Sequence, residues 1–135
     1  MAPKFSMDGY VVDANVVGVY DGDTFTAEFP IPQIEGSPIY KWSCRVQGID
    51  TPEMRDKNPE LKELAYKARD RVREMIMDKK IRIIIGEFDK YGRVLATPLD
   101  PTTGTCIGKI LIDEGLALAY DGGTKTSWED VLKNK

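Results

Sequence analysis

A chain of 135 residues, 41% hydrophobic and 30% charged, is long enough for one domain with its own core and too short for two. It holds no histidine and only two cysteines, which excludes Ser-His-Asp and Cys-His catalysis, histidine-ligated zinc and any multi-cysteine zinc site. With 19 basic against 22 acidic residues the net charge is −3, so bulk charge does not draw this chain to a polyanion, although a local basic patch still can.

Taken in chain order, Met1 to Gly9 is polar and is expected to be a flexible N-terminal segment of a single domain over 1–135. It lacks the apolar run of a signal peptide, so a cytoplasmic protein is the default expectation. Tyr10 to Val19 is rich in valine, Asp21-Gly22 is a turn signal, and Thr24 to Phe29 resumes with β-forming residues; together they predict a hairpin. Residues 30–38 hold three prolines and one glycine and read as a loop. A third strand is expected from Ile39 to Ile49, broken off by Asp50-Thr51-Pro52-Glu53.

One strong helix follows. Asn58 is a good N-cap, and Pro59 stands at the first helical position, where a missing N–H costs nothing. Leu61, Leu64, Ala65, Ala68, Val72, Met75 and Ile76 then form one apolar stripe on a 3.6-residue period, ending near Met77-Asp78. Lys80 to Phe88 reads as a buried strand, Tyr91-Gly92-Arg93 as a turn and Val94 to Leu99 as a further strand. Gly108 to Gly115 is a short helix with a glycine at its end, and Ser127 to Leu132 is one more short helical stretch.

Five short strands with the main helix between the third and fourth, followed by short C-terminal helices, predict a β-rich α+β fold: a five-stranded barrel of the OB type. An open α+β sheet is the alternative on the same pattern. Aliphatic runs such as Ile83-Ile84-Ile85 are far too short to cross a membrane. Cys44 and Cys106 are expected as two free thiols in a reducing compartment. Between Leu61 and Arg82 the charge is +4, leaving −7 for the rest. A solvated helix face laced with i,i+4 pairs is the simpler account of that segment, and a polyanion-facing surface the sharper one.

Three polar clusters lie beside strand ends. Alone, Asp21-Gly22-Asp23-Thr24 is a hairpin turn, Asp50-Thr51-Pro52-Glu53 a helix-start signature, and Asp89-Lys90-Tyr91-Gly92-Arg93 a tyrosine-glycine turn. Together they carry chemistry. Asp23 and Asp50, brought from separate strands, supply two carboxylates to a hard cation such as Ca²⁺, with a nearby carbonyl as a third oxygen. Arg45 and Arg93 suit a phosphodiester, because a guanidinium stays charged and grips two phosphate oxygens at once. Without histidine, Glu53 is the expected group to orient or deprotonate water.

Those clusters, with Arg45 ahead of Gly48-Ile49-Asp50-Thr51-Pro52-Glu53 and with Asp113-Glu114-Gly115-Leu116-Ala117 leading to Tyr120, resemble the staphylococcal nuclease (thermonuclease) family, in order from about Val16 to Tyr120. The resemblance implies an OB barrel that holds one Ca²⁺ and cuts DNA and RNA with little sequence preference, leaving 3′-phosphates, as a monomer without membrane association. By position it implies Asp23, Asp50 and the Thr51 carbonyl as metal ligands, Asp21 as an acidic residue near the metal, Arg45, Glu53 and Arg93 as catalytic, and Lys90, Tyr91 and Tyr120 as nucleotide contacts. The chain departs from the family in a longer stretch from Pro30 to Pro38, a shorter loop after Glu53, one residue fewer between Gly115 and Tyr120, and a divergent tail from Asp121. The alternative functions are a non-catalytic nucleic-acid-binding barrel of the same family and a protein-interaction module.

Overall fold

The computed structural model describes residues 2–120 and 127–133. Its elements are β1 (Val11–Val19), β2 (Thr24–Pro30), β3 (Ile39–Val46), β4 (Ile49–Asp50), α1 (Pro59–Ile76), β5 (Lys80–Phe88), β6 (Val94–Pro98), α2 (Ile107–Asp113), β7 (Leu118–Ala119) and α3 (Trp128–Lys133). Five strands close into a barrel in the order β1-β2-β3-β6-β5. Every pairing in it is antiparallel except β3 with β6, which run parallel from Cys44↔Val94 to Val46↔Ala96. The expected OB-type barrel, rather than an open sheet, is the architecture.

Alternation builds it. Along β1, Val12, Ala14 and Val16 point inward while Val11, Asp13 and Asn15 face out. On β5, Ile81, Ile83 and Ile85 are buried, whereas Ile84 is exposed, so the strand expected to be buried shows solvent one face. α1 is set as its sequence predicts: the Asn58 Oδ1 accepts from the Glu60 N–H at 2.9 Å, and Leu61, Ala65, Ala68, Val72, Met75 and Ile76 are buried. Val72 and Ile76 join Ile107 and Leu111 of α2 in the core that fills the barrel. Arg71 ties the two helices, its Nε and Nη2 reaching the Glu114 carboxylate at 2.8 and 3.0 Å. Burial pushes the Cys44 thiol up to about 12, and both cysteines are free.

Two departures from expectation matter. The strand expected to run from Ile39 to Ile49 stops at Val46, because Gly48 turns the chain at φ 85°, a region open to glycine. Ile49-Asp50 leaves the barrel and pairs with Leu118-Ala119, a two-residue strand absent from the sequence reading. The N-terminal segment is also tied down in part. Met7 is 1% exposed, the Gly9 N–H donates to the Ile85 carbonyl at 2.8 Å, and Phe5 packs on Phe88. Among the described residues no helix is long and apolar enough to cross a membrane. The tail from Asp121 lies outside the described residues as far as Thr126.

Candidate functional site

The site lies where three connections meet: the β1–β2 turn, the segment from β4 to Arg55, and the β5–β6 hairpin. Gly22 makes the first of these possible. A Cβ built on it would come within 2.8 Å of the Ala68 Cβ and 2.9 Å of the Thr51 Cγ2, so the turn rests directly on α1 and on Thr51. Arg73 fastens the same turn from the helix, donating to the Val19 carbonyl at 3.2 Å. The Asp23 carbonyl accepts from the Val46 N–H at 2.8 Å, which pins the turn to the end of β3.

On this frame Asp21, Asp23, Arg45, Asp50, Thr51, Glu53 and Arg93 line one cavity of about 440 Å³. Asp23 is the most constrained of them. Its Oδ2 faces the Arg45 Nη2 at 3.5 Å and the Thr51 N–H at 3.4 Å, while its Oδ1 accepts from the Thr24 hydroxyl at 3.2 Å. The Asp21 Oδ1 accepts the Asp23 N–H at 3.0 Å. Burial, and then the neighbouring Asp23 charge, pushes the Asp21 carboxyl up to about 7.

The arginines are held in place. Arg45 donates through Nη1 to the Val46 and Ile49 carbonyls at 2.7 and 3.1 Å, bracing the bend that leads to Asp50. Arg93 donates through Nε to the Asp89 Oδ2 at 2.7 Å, and the Asp89 Oδ1 collects the N–H groups of Tyr91 and Arg93 at 2.8 and 2.9 Å. Burial drives the Asp89 carboxyl up, but these bonds from Arg93 and Tyr91 outweigh it and leave the group below its ordinary value. With Nε so engaged, the two Nη groups of Arg93 remain to meet a ligand.

Of the other expected contacts, Lys90 and Tyr91 sit on the hairpin turn beside the cavity rather than in its wall. Tyr91 is the platform for two cations, the Lys90 Nζ at 5.2 Å and the Arg93 guanidinium at 5.5 Å from its ring centre. Tyr120 does not line the cavity; its N–H donates to the Gly48 carbonyl at 2.9 Å, beside β7. Sequence reasoning missed Tyr20, Thr24, Met54 and Arg55, all of which line the cavity. Tyr20 and Met54 directly flank quoted motifs, Arg55 stands one residue further on and Thr24 lies inside one, and that proximity was the only signal available.

The donor chemistry fits a hard cation. The cavity wall offers carboxylate and carbonyl oxygens, the chain has no imidazole, and neither cysteine lines it. Among the described residues no group of three or more carboxylates and cysteines is arranged to hold a metal ion on its own, so a cation there would need carbonyl or water oxygens besides carboxylates. Four carboxylates and three guanidinium groups share the wall. A divalent cation would turn that acidic balance positive, as a phosphate ligand requires.

Residues 43–134 match the family described as staphylococcal nuclease homologue. No curated protein matches the chain.

Proposed function

Because the chain belongs to the staphylococcal nuclease homologue family, we propose that it is a Ca²⁺-dependent phosphodiesterase that hydrolyses DNA and RNA with little sequence preference, leaving 3′-phosphates. Membership supports a nuclease-like, nucleic-acid-binding function; the calcium requirement and the hydrolysis are our reading. The observation that carries it is the convergence of Asp21, Asp23, Asp50 and Glu53 with Arg45 and Arg93 on one cavity.

Asp23, Asp50 and the Thr51 carbonyl would hold the cation, with Asp21 bracing Asp23 through the bond that it accepts from the Asp23 N–H. Ca²⁺ held there would supply positive charge to neutralise the phosphoryl oxygens. Arg45 and Arg93 donate to the non-bridging oxygens and stabilise the charge that builds on them as water attacks phosphorus. Glu53, exposed on the segment after β4, orients that water and takes its proton. The P–O5′ bond breaks in line with the attack and the departing O5′ takes a proton from solvent water, leaving a 3′-phosphate and a 5′-hydroxyl. Lys90, Tyr91 and Tyr120 contact the flanking nucleotide.

The test is digestion of plasmid DNA and of RNA by the purified protein, with Ca²⁺ and with chelator. Both substrates should be degraded with calcium and spared without it. Glu53→Gln and Arg93→Ala should each lower the rate by about 10²–10³-fold. A chain that binds single strands but shows no calcium-stimulated cleavage would be a binding barrel, and this reading would be wrong.

A further inference from the structure

Two tyrosines are the most exposed aromatic rings among the described residues: Tyr91 at 72% and Tyr20 at 60%. Both are at the site. Tyr91 stands two residues before Arg93 on the β5–β6 hairpin, and Tyr20 lines the cavity one residue before Asp21. Among the described residues no other ring packs on Tyr20 and its hydroxyl has no hydrogen-bond partner, so the side chain does no structural work that its burial or bonding would reveal. Its backbone is nonetheless fixed, since the Tyr20 N–H donates to the Thr24 carbonyl at 2.9 Å. The ring is presented by a rigid turn.

Strand order decides where the two rings stand. In the closed barrel β1-β2-β3-β6-β5, Arg45 is carried by β3, which pairs with β2 on one edge and β6 on the other. The β1–β2 turn with Tyr20 lies on one side of that strand, and the β5–β6 hairpin with Tyr91 on the other. A single strand held by one phosphate at Arg45 and Arg93 extends one base to each side of that phosphate, and unpaired bases stack on exposed aromatic faces whatever their identity.

We propose that Tyr20 is a second base-stacking subsite, on the β1–β2 side of the scissile phosphate, and that it makes an unpaired nucleobase there part of the substrate requirement. The subsite rests on the proposed nuclease reading for its substrate class. It is a specificity determinant, since Tyr20 touches the base and not the reacting atoms. Duplex DNA would have to unstack to occupy it, so the subsite favours single-stranded segments.

The experiment is a fluorescence-anisotropy titration in Ca²⁺, in the Glu53→Gln background so that the strand survives. One probe is a twelve-unit single-stranded oligothymidylate; the other is an abasic strand with the same number of phosphates. Tyr20→Ala should weaken oligothymidylate binding by about ten-fold, the order expected for loss of one stacked base, and leave the abasic strand unaffected. Tyr20→Phe should bind both as the background does. Equal weakening for both probes, or no change for either, would overturn the subsite. If the parent chain cleaves with calcium yet Tyr20→Ala changes nothing, the subsite fails and the nuclease reading stands. If Tyr20→Ala weakens only the base-bearing probe while the parent never cleaves, the reverse holds. Failure to bind either strand overturns both.

Discussion

Gly22 lies so close to Ala68 that a Cβ added to the glycine would sit 2.8 Å from the alanine's own, with the Thr51 Cγ2 only 2.9 Å away. The contact, and not a left-handed backbone, is what demands glycine there. It sets the gap between the turn that carries Asp21 and Asp23 and the segment that carries Asp50 and Thr51, and the helix acts as the spacer. Gly22→Ala should therefore cost about 1–3 kcal/mol of stability through overpacking and lower the calcium-dependent rate, because Asp23 is pushed off the Thr51 N–H. Gly18→Ala is the comparison: its nearest atoms belong to Thr26 at 3.7 Å, ordinary contact, and it should stay within about 0.5 kcal/mol. Urea denaturation and cleavage rates check both. Equal behaviour of the two variants would show that the close contact at Gly22 does not set the gap.

The Asp89 carboxylate organises the hairpin that presents Arg93, and its titration gives that role a pH signature. Its folded value lies below the ordinary 3.8, burial being outweighed by the bonds from Arg93 and Tyr91. A depressed acid contributes stability that is present above the unfolded value and is lost as pH falls through the folded one. Parent and Asp89→Asn should thus differ most in urea midpoint between pH 5 and 8, and the gap should close as pH drops below about 4. A gap that is the same at pH 3 and pH 7 would mean the ionised carboxylate contributes nothing.

The two tiers of structure were unequally legible in the sequence, for physical reasons. α1 could be read to its first residue because Asn58, Pro59 and the apolar stripe are local signals. The barrel strands followed from alternation and turn residues. β4 and β7 could not, since two residues such as Ile49-Asp50 become a strand only when Leu118-Ala119, remote in sequence, arrives beside them. Met7 carried no pattern that announced a buried side chain. Of the residues lining the cavity, Asp23, Asp50, Glu53, Arg45 and Arg93 could be named from residue type and Asp21 from the family resemblance. Tyr20, Gly22 and the hold of Asp89 on Arg93 were not, because exposure, close approach and hydrogen-bond geometry exist only in the folded chain.

Arg55 supplies the last expectation. Arg45 is engaged by Asp23 and two carbonyls, and Arg93 by Asp89. Arg55 also lines the cavity, is exposed, and among the described residues makes no ion pair or hydrogen bond. On the proposed function, an unheld guanidinium beside this cavity meets the strand as a charge, exchanging one condensed counterion for one phosphate contact. Its removal should weaken single-strand binding to thymine-rich and adenine-rich oligomers alike, because a phosphate contact carries no sequence information. The plot of log affinity against log salt should become less steep by about 0.7, the increment for one phosphate on a single strand. The maximal rate should change little, since Arg55 is not needed for charge that appears only in the transition state. Binding titrations of Arg55→Ala from low to moderate salt, with kcat measured beside them, decide the matter. An unchanged slope would show that Arg55 does not reach the backbone, and a large fall in kcat at unchanged slope would place it with Arg45 and Arg93 at the reacting phosphate.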